Sequence, residues 1–255
     1  MKKIFNLVKW LTGANLAFLL YMFLFAKGRN VRLHQLNMTQ KENRTLTIFF
    51  ISDIHRRKIN KTLLRRVRRH GEIDLVVIGG DLAEKGVPLN RIQKNVSKLS
   101  SLGPACFIWG NNDREVGETH LREILSSSNV KILDNEGVAI DGHSDWCICG
   151  TDDPSSKNVD VEASIQLSKQ FPYTIVATHT PSLVRKVEEY VKPQLMLSGH
   201  THGGQIRFGK FGLHEVGRFC DLGGRANLIS NGYGTSLLPL RFGAAPECHV
   251  IKIHY

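Results

Sequence analysis

Five apolar segments of this chain stop abruptly at residues whose side chains can bind metal ions or phosphate groups. The last segment runs into Gly199-His200-Thr201-His202, which places two histidines two residues apart at the end of a predicted strand. Ligands of open α/β sheets bind in the crevice at the carboxyl ends of the strands, so this repeated pattern predicts an α/β fold with one shared site. Gly203 and Gly204 would let the backbone approach whatever the histidines hold.

The other four segments have the length and composition of buried strands. They end at Ser52-Asp53-Ile54-His55, Gly79-Gly80-Asp81, Gly110-Asn111-Asn112-Asp113 and Thr178-His179. Amphipathic helices are predicted at residues 63–69 and 88–101. Short segments at 130–133, 137–140 and 146–149 predict strands of antiparallel character, in a second sheet or a continuation of the first. The whole pattern predicts a layered α/β sandwich.

The strand ends offer seven candidate metal ligands of nitrogen and oxygen type: Asp53, His55, Asp81, Asn111, His179, His200 and His202. Two divalent ions could each have four of these ligands if one carboxylate bridges them, and Asp81 is the natural bridge. Two metals about 3.5–4 Å apart can generate a hydroxide and stabilise an in-line displacement at phosphorus. Mixed imidazole and carboxylate ligands favour Mn, with Fe, Zn and Co as alternatives, over Ca or Mg.

The chain resembles the calcineurin-like metallophosphoesterases in five motifs that occur in the same order. They are Asp53-x-His55, Gly80-Asp81, Gly110-Asn111-x-Asp113, His179 and Gly199-His200-x-His202. The resemblance covers residues 46–255. The chain is further similar to the membrane-associated bacterial YkuE-like branch in Gly203-Gly204-Gln205, Asn231-Gly232-Tyr233-Gly234, Pro239-Leu240-Arg241, Pro246-Glu247 and its apolar N-terminus.

This resemblance implies a four-layer α-β-β-α sandwich and a phosphoester hydrolase. It also implies that one metal is bound by Asp53, His55 and His202, the other by Asn111, His179 and His200, and that Asp81 bridges them. A hydroxide bridging the two metals would then attack phosphorus. All-structural roles for these residues would require five unrelated coincidences in the same order, so we set that interpretation aside.

The residue after Asn111 departs from the family pattern, which commonly has histidine there. Asn112 can donate a hydrogen bond to a phosphate oxygen, but an amide cannot act as a general acid near neutral pH. We therefore assign Asn112 a catalytic role in positioning the phosphoryl group. Its presence predicts a preference for good leaving groups, as in phosphodiesters, aryl esters and pyrophosphates, over alkyl monoesters.

Two basic features are candidate substrate contacts. Arg241 is the better one, because the resemblance places the tail near the site and a guanidinium suits phosphate. The cluster Arg65–Arg69 is more simply a solvated or membrane-facing side of a helix. The remaining histidines fit none of the motifs and are interpreted as surface or packing residues.

Residues 1–26 are predicted to be an N-terminal membrane anchor, since Trp10 to Ala26 carry no charge. A cleaved signal peptide is the alternative, although no small-x-small cleavage site follows. Residues 27–45 are predicted to be a basic juxtamembrane linker, followed by the catalytic domain at 46–255. Lysines and arginines flank the apolar segment on both sides, so orientation stays open. Five cysteines without regular spacing favour reduced thiols and hence a cytoplasmic domain.

The formal net charge of +11 favours a polyanionic partner. A phosphorylated small molecule, a lipid-linked substrate and an anionic membrane surface all fit. A nuclease is disfavoured, because no basic platform with interleaved aromatic residues is apparent. Two alternatives to a general phosphoesterase remain open: a lipid-linked pyrophosphatase of envelope metabolism, and a catalytically silent scaffold of the same fold. The sequence leaves the oligomeric state undetermined.

Overall fold

The computed structural model describes residues 1–38 and 43–255, in which twelve strands form two six-stranded sheets. The strands are β1 (Asn30–Asn37), β2 (Thr45–Ile51), β3 (Leu75–Gly79), β4 (Ala105–Ile108), β5 (Val130–Ile132), β6 (Glu136–Ile140), β7 (His143–Gly150), β8 (Tyr173–Ala177), β9 (Leu195–Ser198), β10 (Arg218–Asp221), β11 (Ala226–Ile229) and β12 (Glu247–His254). The α-helices are α1 (Lys2–Phe25), α2 (Lys61–Arg68), α3 (Leu89–Ser100), α4 (Glu118–Ser127), α5 (Val161–Ser164) and α6 (Val184–Glu188).

Both sheets have a parallel centre. The first has the order β1-β12-β2-β3-β4-β5, in which β2 to β5 are parallel and β12 is antiparallel to β2. The second has the order β10-β11-β9-β8-β7-β6, with antiparallel pairs only at its two edges. The antiparallel character predicted for residues 137–140 and 146–149 is therefore confirmed. The predicted strand at 130–133 instead pairs in parallel with β4 in the first sheet.

Side chains of each central strand pack alternately against the other sheet and against the outer helices, which gives four layers. In β2, Phe49 packs under α2, α3 and α4, whereas the next residue, Phe50, lies in the core between the two sheets. In β8, Ile175 faces that same core, and Val176 packs with residues of α5 and α6 on the outer face. Successive side chains of a strand point to opposite faces, so both sheets can be apolar on both sides. The α-β-β-α sandwich predicted from the resemblance is confirmed.

The linker predicted over residues 27–45 is wrong for Asn30–Asn37. These residues form β1, which pairs in parallel with β12 at the edge of the first sheet. Leu36 is fully buried, whereas its neighbours Gln35 and Asn37 are exposed. Because most side chains of this edge strand are at least partly exposed to solvent, its sequence has no continuous apolar run from which the strand could be predicted. Residues 39–42 of the predicted linker lie outside the described residues.

Helix α1 is the one helix in the described part of the chain that is long and apolar enough to cross a membrane. Its length and composition suit a membrane anchor and a signal sequence alike. Its last turns contact the folded domain: the backbone N–H of Arg241 donates to the carbonyl of Met22 (3.2 Å), and the Phe18 ring packs edge-on against Phe242. Most other side chains of α1 are exposed.

The five cysteines are free, in agreement with the expected reduced thiols. Four are buried, and Cys220 is partly exposed. Cys147 and Cys149 lie on one face of β7, where they pack with α5 and α6. The four buried thiols pack in the core and form no disulfides.

Candidate functional site

The seven predicted ligands lie at the carboxyl ends of strands from both sheets. Asp53 and His55 follow β2, Asp81 follows β3, Asn111 follows β4, His179 follows β8, and His200 and His202 follow β9. The two parallel centres end at the same edge of the sandwich. The structure therefore brings all seven residues into one crevice, as the sequence pattern predicts.

The backbone of this crevice is unusually strained. Positive φ values occur at Asp53 (54°), His55 (50°), Asp81 (50°), His200 (70°) and His202 (50°). This conformation costs an L-residue roughly 1–2 kcal/mol, although Asp, Asn and His tolerate it better than most. A left-handed residue after a strand breaks the alternation of side chains, so consecutive strand ends can all face the crevice. Strain concentrated at one place is a mark of a functional site.

Two glycines allow the strand ends to approach closely. A Cβ on Gly199 would lie 2.5 Å from Ser52 Oγ and 2.6 Å from Asp53 Oδ2. A Cβ on Gly110 would lie 2.2 Å from the backbone nitrogen of Asp81. Such contacts are too short to form, so any larger residue at either position would push the candidate ligands apart.

Asp53, His55 and His202 form the first group of candidate ligands. One ligand atom from each lies within 4.8 Å of the others, and all three residues are buried. Nε2 of His55 and Nε2 of His202 are 3.1 Å apart, and Nε2 of His202 is 3.3 Å from Asp53 Oδ1. Two imidazole nitrogens and a carboxylate oxygen converging in this way are suited to one cation.

Asn111, His179 and His200 form the second group of candidate ligands, in which a ligand atom of His179 lies within 4.8 Å of ligand atoms of Asp81 and Asp53. Nδ1 of His200 is 2.9 Å from Asn111 Oδ1, and the His179 and His200 rings meet edge to face. Asp81 contacts both groups: its Oδ2 lies 3.6 Å from Nε2 of His55 and 3.4 Å from Nε2 of His179. The carboxylate is thus shared between two clusters of ligands.

The charges of the site are coupled. Burial would raise the pKa of Asp81, but His179 and His55 hold that pKa well below its usual range. Burial would likewise lower the pKa of His179, yet Asp81 raises it to about 10. Burial lowers the pKa of His202 to about 4, and Asp53 offsets this only in part. At neutral pH Asp81 is therefore anionic and His202 neutral, the forms in which both residues bind metals, whereas His179 is protonated and would release a proton when it binds one.

His179 offers a direct indication that this crevice suits a metal ion. Its Nδ1 lies 2.9 Å from the carbonyl oxygen of Gly79, which fixes a proton on Nδ1. Nε2 is buried and makes no normal hydrogen bond among the described residues, since Asp81 Oδ2 lies 3.4 Å away, and the raised pKa places a second proton on Nε2. A metal ion beside Asp81 would replace that proton and give Nε2 a partner at bonding distance. The clustered Asp and His side chains imply divalent metals.

Asp113 stabilises the two turns that carry Asp81 and Asn111. Its carboxylate accepts hydrogen bonds from the backbone N–H groups of Gly110 (2.8 Å), Asp81 (2.8 Å) and Ala83 (3.1 Å). These bonds hold the turns after β3 and β4 at a fixed distance. Burial, with the nearby charge of Asp81, raises the pKa of Asp113 to about 7. The motif Gly110-Asn111-x-Asp113 marks this residue in the sequence without revealing its role.

Glu84 is a site residue that sequence reasoning missed. Its Oε2 lies 2.9 Å from Nδ1 of His55, and its other oxygen accepts a hydrogen bond from Arg56. Glu84 lies in the loop after Asp81 and follows no apolar run, so the strand-end pattern cannot find it. A carboxylate behind a ligating histidine orients the ring and increases its basicity.

Replacing Glu84 with glutamine should weaken Mn²⁺ binding about 10- to 100-fold, because the neutral amide no longer supports His55 as a ligand. Isothermal titration of the metal-free protein with Mn²⁺ measures the affinity. Glu72→Gln is the matched control, since Glu72 is exposed and precedes β3, at the end of that strand away from Asp81. An affinity equal to that of the wild type would show that Glu84 does not orient a ligand.

Two predicted residues differ from their expected placement. Asn112 directs both its backbone N–H and its side-chain amide to the carboxylate of Asp81, at 2.8 and 2.7 Å. Arg241, predicted to contact substrate, is fully buried; its guanidinium donates to backbone carbonyls and lies 3.1 Å from Nδ1 of His202. The geometry corrects that prediction: Arg241 lies behind His202 rather than on the open side of the site, because the carbonyls around it occupy its donors.

A family model described as calcineurin-like phosphoesterase matches residues 46–204, a range that contains all seven candidate ligands. The chain is 42% identical to YpbG of Bacillus subtilis over 247 residues, which cover 95% of each chain. It is 27% identical to the metallophosphoesterase YkuE of B. subtilis, covering 71% of this chain and 68% of YkuE. It is 26% identical to the phosphodiesterase YaeI of Escherichia coli, covering 86% of each chain.

The fold is also similar to that of a solved structure. The 5'-nucleotidase precursor from Thermus thermophilus superposes with a TM-score of 0.52 at 15% sequence identity. The match covers 83% of this chain and 54% of the nucleotidase. At this identity the similarity concerns the fold, and it agrees with the two packed sheets described above.

Proposed function

We propose that this chain, which belongs to the calcineurin-like phosphoesterase family and is therefore a phosphoester hydrolase, cleaves phosphodiester or pyrophosphate bonds at a centre of two divalent metal ions. The observation that carries the proposal is the position of Asp81 between two groups of ligands. A carboxylate in contact with histidines of both groups suits a site for two cations rather than one.

The ligand assignment follows the two groups. Asp53, His55 and His202 would hold one ion; Asn111, His179 and His200 would hold the other; Asp81 would contact both. We propose Mn²⁺, because mixed imidazole, amide and carboxylate ligands suit it better than Ca²⁺ or Mg²⁺, with Fe, Zn and Co as alternatives. When bound, such ions supply a nucleophilic water at neutral pH and neutralise charge on the phosphoryl oxygens.

The protein's own side chains would orient and polarise this centre. Gly79 and Glu84 hold the rings of His179 and His55 from behind, through contacts of 2.9 Å to the Nδ1 atoms. Asn112 donates to both oxygens of Asp81 and is only partly buried, so its amide is also close to the open side of the site. From there it would position a phosphoryl oxygen without transferring a proton.

The proposed preference for diesters and pyrophosphates rests on the leaving group. An asparagine cannot protonate a departing alkoxide at neutral pH, so the leaving group must itself be a stable anion. Aryl esters and pyrophosphates meet this requirement. The similarity to a protein named a phosphodiesterase, YaeI, supports the same substrate class.

The direct test is an assay of the full-length protein in detergent with added Mn²⁺. We expect bis(p-nitrophenyl) phosphate to be hydrolysed faster than an alkyl phosphate monoester. Parallel assays with Fe²⁺, Zn²⁺ and Co²⁺ separate the metals. Wild-type activity indistinguishable from that of Asp81→Ala, across all metals and substrates, would favour the silent scaffold instead.

Asn112→His tests the leaving-group argument. A histidine can act as a general acid, an effect worth roughly 10²–10⁴-fold, so turnover of an alkyl ester should rise about tenfold or more while that of an aryl ester changes little. The measurement is the dependence of kcat on the leaving-group pKa, which should become shallower. Asn112→Ala controls for loss of the amide. Equal stimulation of good and poor leaving groups by Asn112→His would contradict the argument.

We also propose that α1 anchors the protein in a membrane as a single span, with a slight preference for a cytoplasmic catalytic domain. Burial of Met22 and Ala26 against the domain supports retention of the helix rather than its cleavage as a signal peptide. An anchored active site would be held near lipid headgroups, which favours a lipid-linked pyrophosphate or diester as the more specific substrate. Protease protection of the domain in sealed vesicles would establish its side.

A further inference from the structure

Exposed apolar side chains are concentrated on two loops next to the candidate site. We call residues 206–216 and 235–240 the rim loops. In the described part of the chain after α1, ten large apolar side chains are exposed, and six of these lie on the rim loops: Phe208, Phe211, Leu213, Val216, Leu237 and Leu238. Leu213 is 89% exposed and Leu237 is 98% exposed. A cluster of this kind marks a binding surface rather than ordinary protein exterior.

The two rim loops are tied to each other and to the metal ligands. Gln205, three residues after His202, donates from its side chain to the carbonyls of Ser236 and Leu238. Its Oε1 accepts the backbone N–H of Ser236, at 2.8 Å. The backbone of Gln205 accepts from Phe242, so the loops form one connected rim. The rim is therefore fixed relative to the crevice.

Helix α1 reaches the same rim. The ring of Phe242 lies 5.2 Å from that of Phe18, 6.3 Å from that of Tyr21 and 4.9 Å from that of Phe208. The first charged residue after the apolar segment of α1 is Lys27. Phe18 precedes it by nine residues, or about 13 Å along a helix that rises 1.5 Å per residue. The headgroup layer on one side of a bilayer is only about 5–8 Å thick.

These contacts set the depth of the rim loops relative to the bilayer. If α1 enters the bilayer at Lys27, the Phe18 contact with Phe242 lies below the headgroups, and the neighbouring Phe208 must meet lipid as well. We propose that the rim loops form a membrane-docking surface whose apolar side chains enter the acyl-chain region beside α1. The occupant of this surface is the bilayer that α1 itself crosses. Burial of apolar area in the membrane interface supplies the driving force.

Charge around the rim suits an anionic bilayer. Lys210 is exposed and its ammonium lies over the Phe211 ring, while Lys27 and Arg56 are exposed beside the end of α1. Basic side chains at the headgroup level attract anionic lipids. Glu215 is the one acidic residue of the rim loops, so the exposed charge around the rim remains mainly basic, as in an interfacial binding surface.

A pocket connects the rim to the candidate site. Its lining includes Ala26 and Lys27 after α1, Leu237 of the rim loops, and Glu84, which contacts the candidate ligand His55. Its volume of about 200 Å³ is below the roughly 300–1,000 Å³ of sites that enclose a drug-sized ligand. The pocket would admit a phosphorylated headgroup from the membrane side. This consequence rests on the proposed hydrolase activity, whereas the docking itself rests on the proposed membrane anchor α1.

Fluorescence quenching tests the docking surface without any assay of activity. The full chain is reconstituted in vesicles of phosphatidylcholine and phosphatidylglycerol, with Cys220→Ser as background, because the other four cysteines are buried. An environment-sensitive dye is attached at Leu213→Cys or, as the matched control, at Leu89→Cys at the start of α3. We expect blue-shifted emission and quenching by acyl-chain nitroxide lipids at residue 213 alone. Equal, weak quenching at both positions would overturn the proposal.

A second measurement separates docking from catalysis. The variant Phe211→Glu/Leu213→Glu should lower hydrolysis of a vesicle-embedded phosphodiester about tenfold, since two apolar contacts with lipid become charged. Hydrolysis of soluble bis(p-nitrophenyl) phosphate should be unchanged. Equal losses on both substrates would contradict delivery of substrate through the rim. If the wild type cleaves neither substrate, the proposed function fails, and the quenching result still decides the docking.

Discussion

Replacing Asp81 with alanine is expected to lower the turnover of an aryl phosphodiester at least about 1,000-fold, which corresponds to about 4 kcal/mol of lost transition-state stabilisation. The reason is the position of its carboxylate, whose Oδ2 lies 3.6 Å from His55 and 3.4 Å from His179. Removing it takes a ligand from both groups at once. It also leaves the amide of Asn112 without its acceptor.

Metal content separates this loss from misfolding. We expect plasma mass spectrometry to find two metal ions per wild-type chain and at most one in Asp81→Ala, and added Mn²⁺ to raise the Tm of the wild type only. Asp81→Asn preserves the size of the side chain and an acceptor for the N–H of Asn112. Its metal content and rate should fall between those of the wild type and of Asp81→Ala. Asp221→Ala, on an exposed edge strand, is the control. Two bound metals and a rate within tenfold of wild type would contradict the bridging role.

The candidate ligands could be predicted because each follows a buried strand directly. The apolar runs of β2, β3, β4, β8 and β9 are visible in the sequence, and parallel strands bring their carboxyl ends to one edge. Five positive φ values at these positions could not be predicted from composition. They explain why residues as close as His200 and His202 can reach different groups.

The missed features lack a local signal. β1, at the edge of the first sheet, has a single buried residue, Leu36, and β10 is a short, partly exposed edge strand of the second sheet. Both have the sequence character of loops. Glu84 acts through a contact with His55 that depends on how the loop after β3 folds back across the end of β2. Such pairings between loops depend on tertiary structure and leave no periodicity in the sequence.

Arg241 shows how the right residue can be given the wrong role. Its guanidinium is fully buried and donates to five backbone carbonyls, those of His202, Asn231, Gly232, Gly234 and Ala244. Burial lowers its pKa to about 10. The planar fork of donors gathers the segments at 202, 231–234 and 244 around one centre, a task that the single nitrogen of lysine cannot perform.

Arg241→Lys should therefore lower the free energy of unfolding by about 3–5 kcal/mol, because several buried carbonyls lose their donor. The Tm should fall by roughly 10 °C. Urea unfolding in detergent, followed by the fluorescence of the buried Trp109 and Trp146, measures the change. Mn²⁺ affinity should fall with it, since the backbone carbonyl and Nδ1 of His202 both contact the guanidinium. Exposed Arg218→Lys is the control. A raised KM at unchanged stability and metal affinity would instead restore the substrate contact predicted from the sequence.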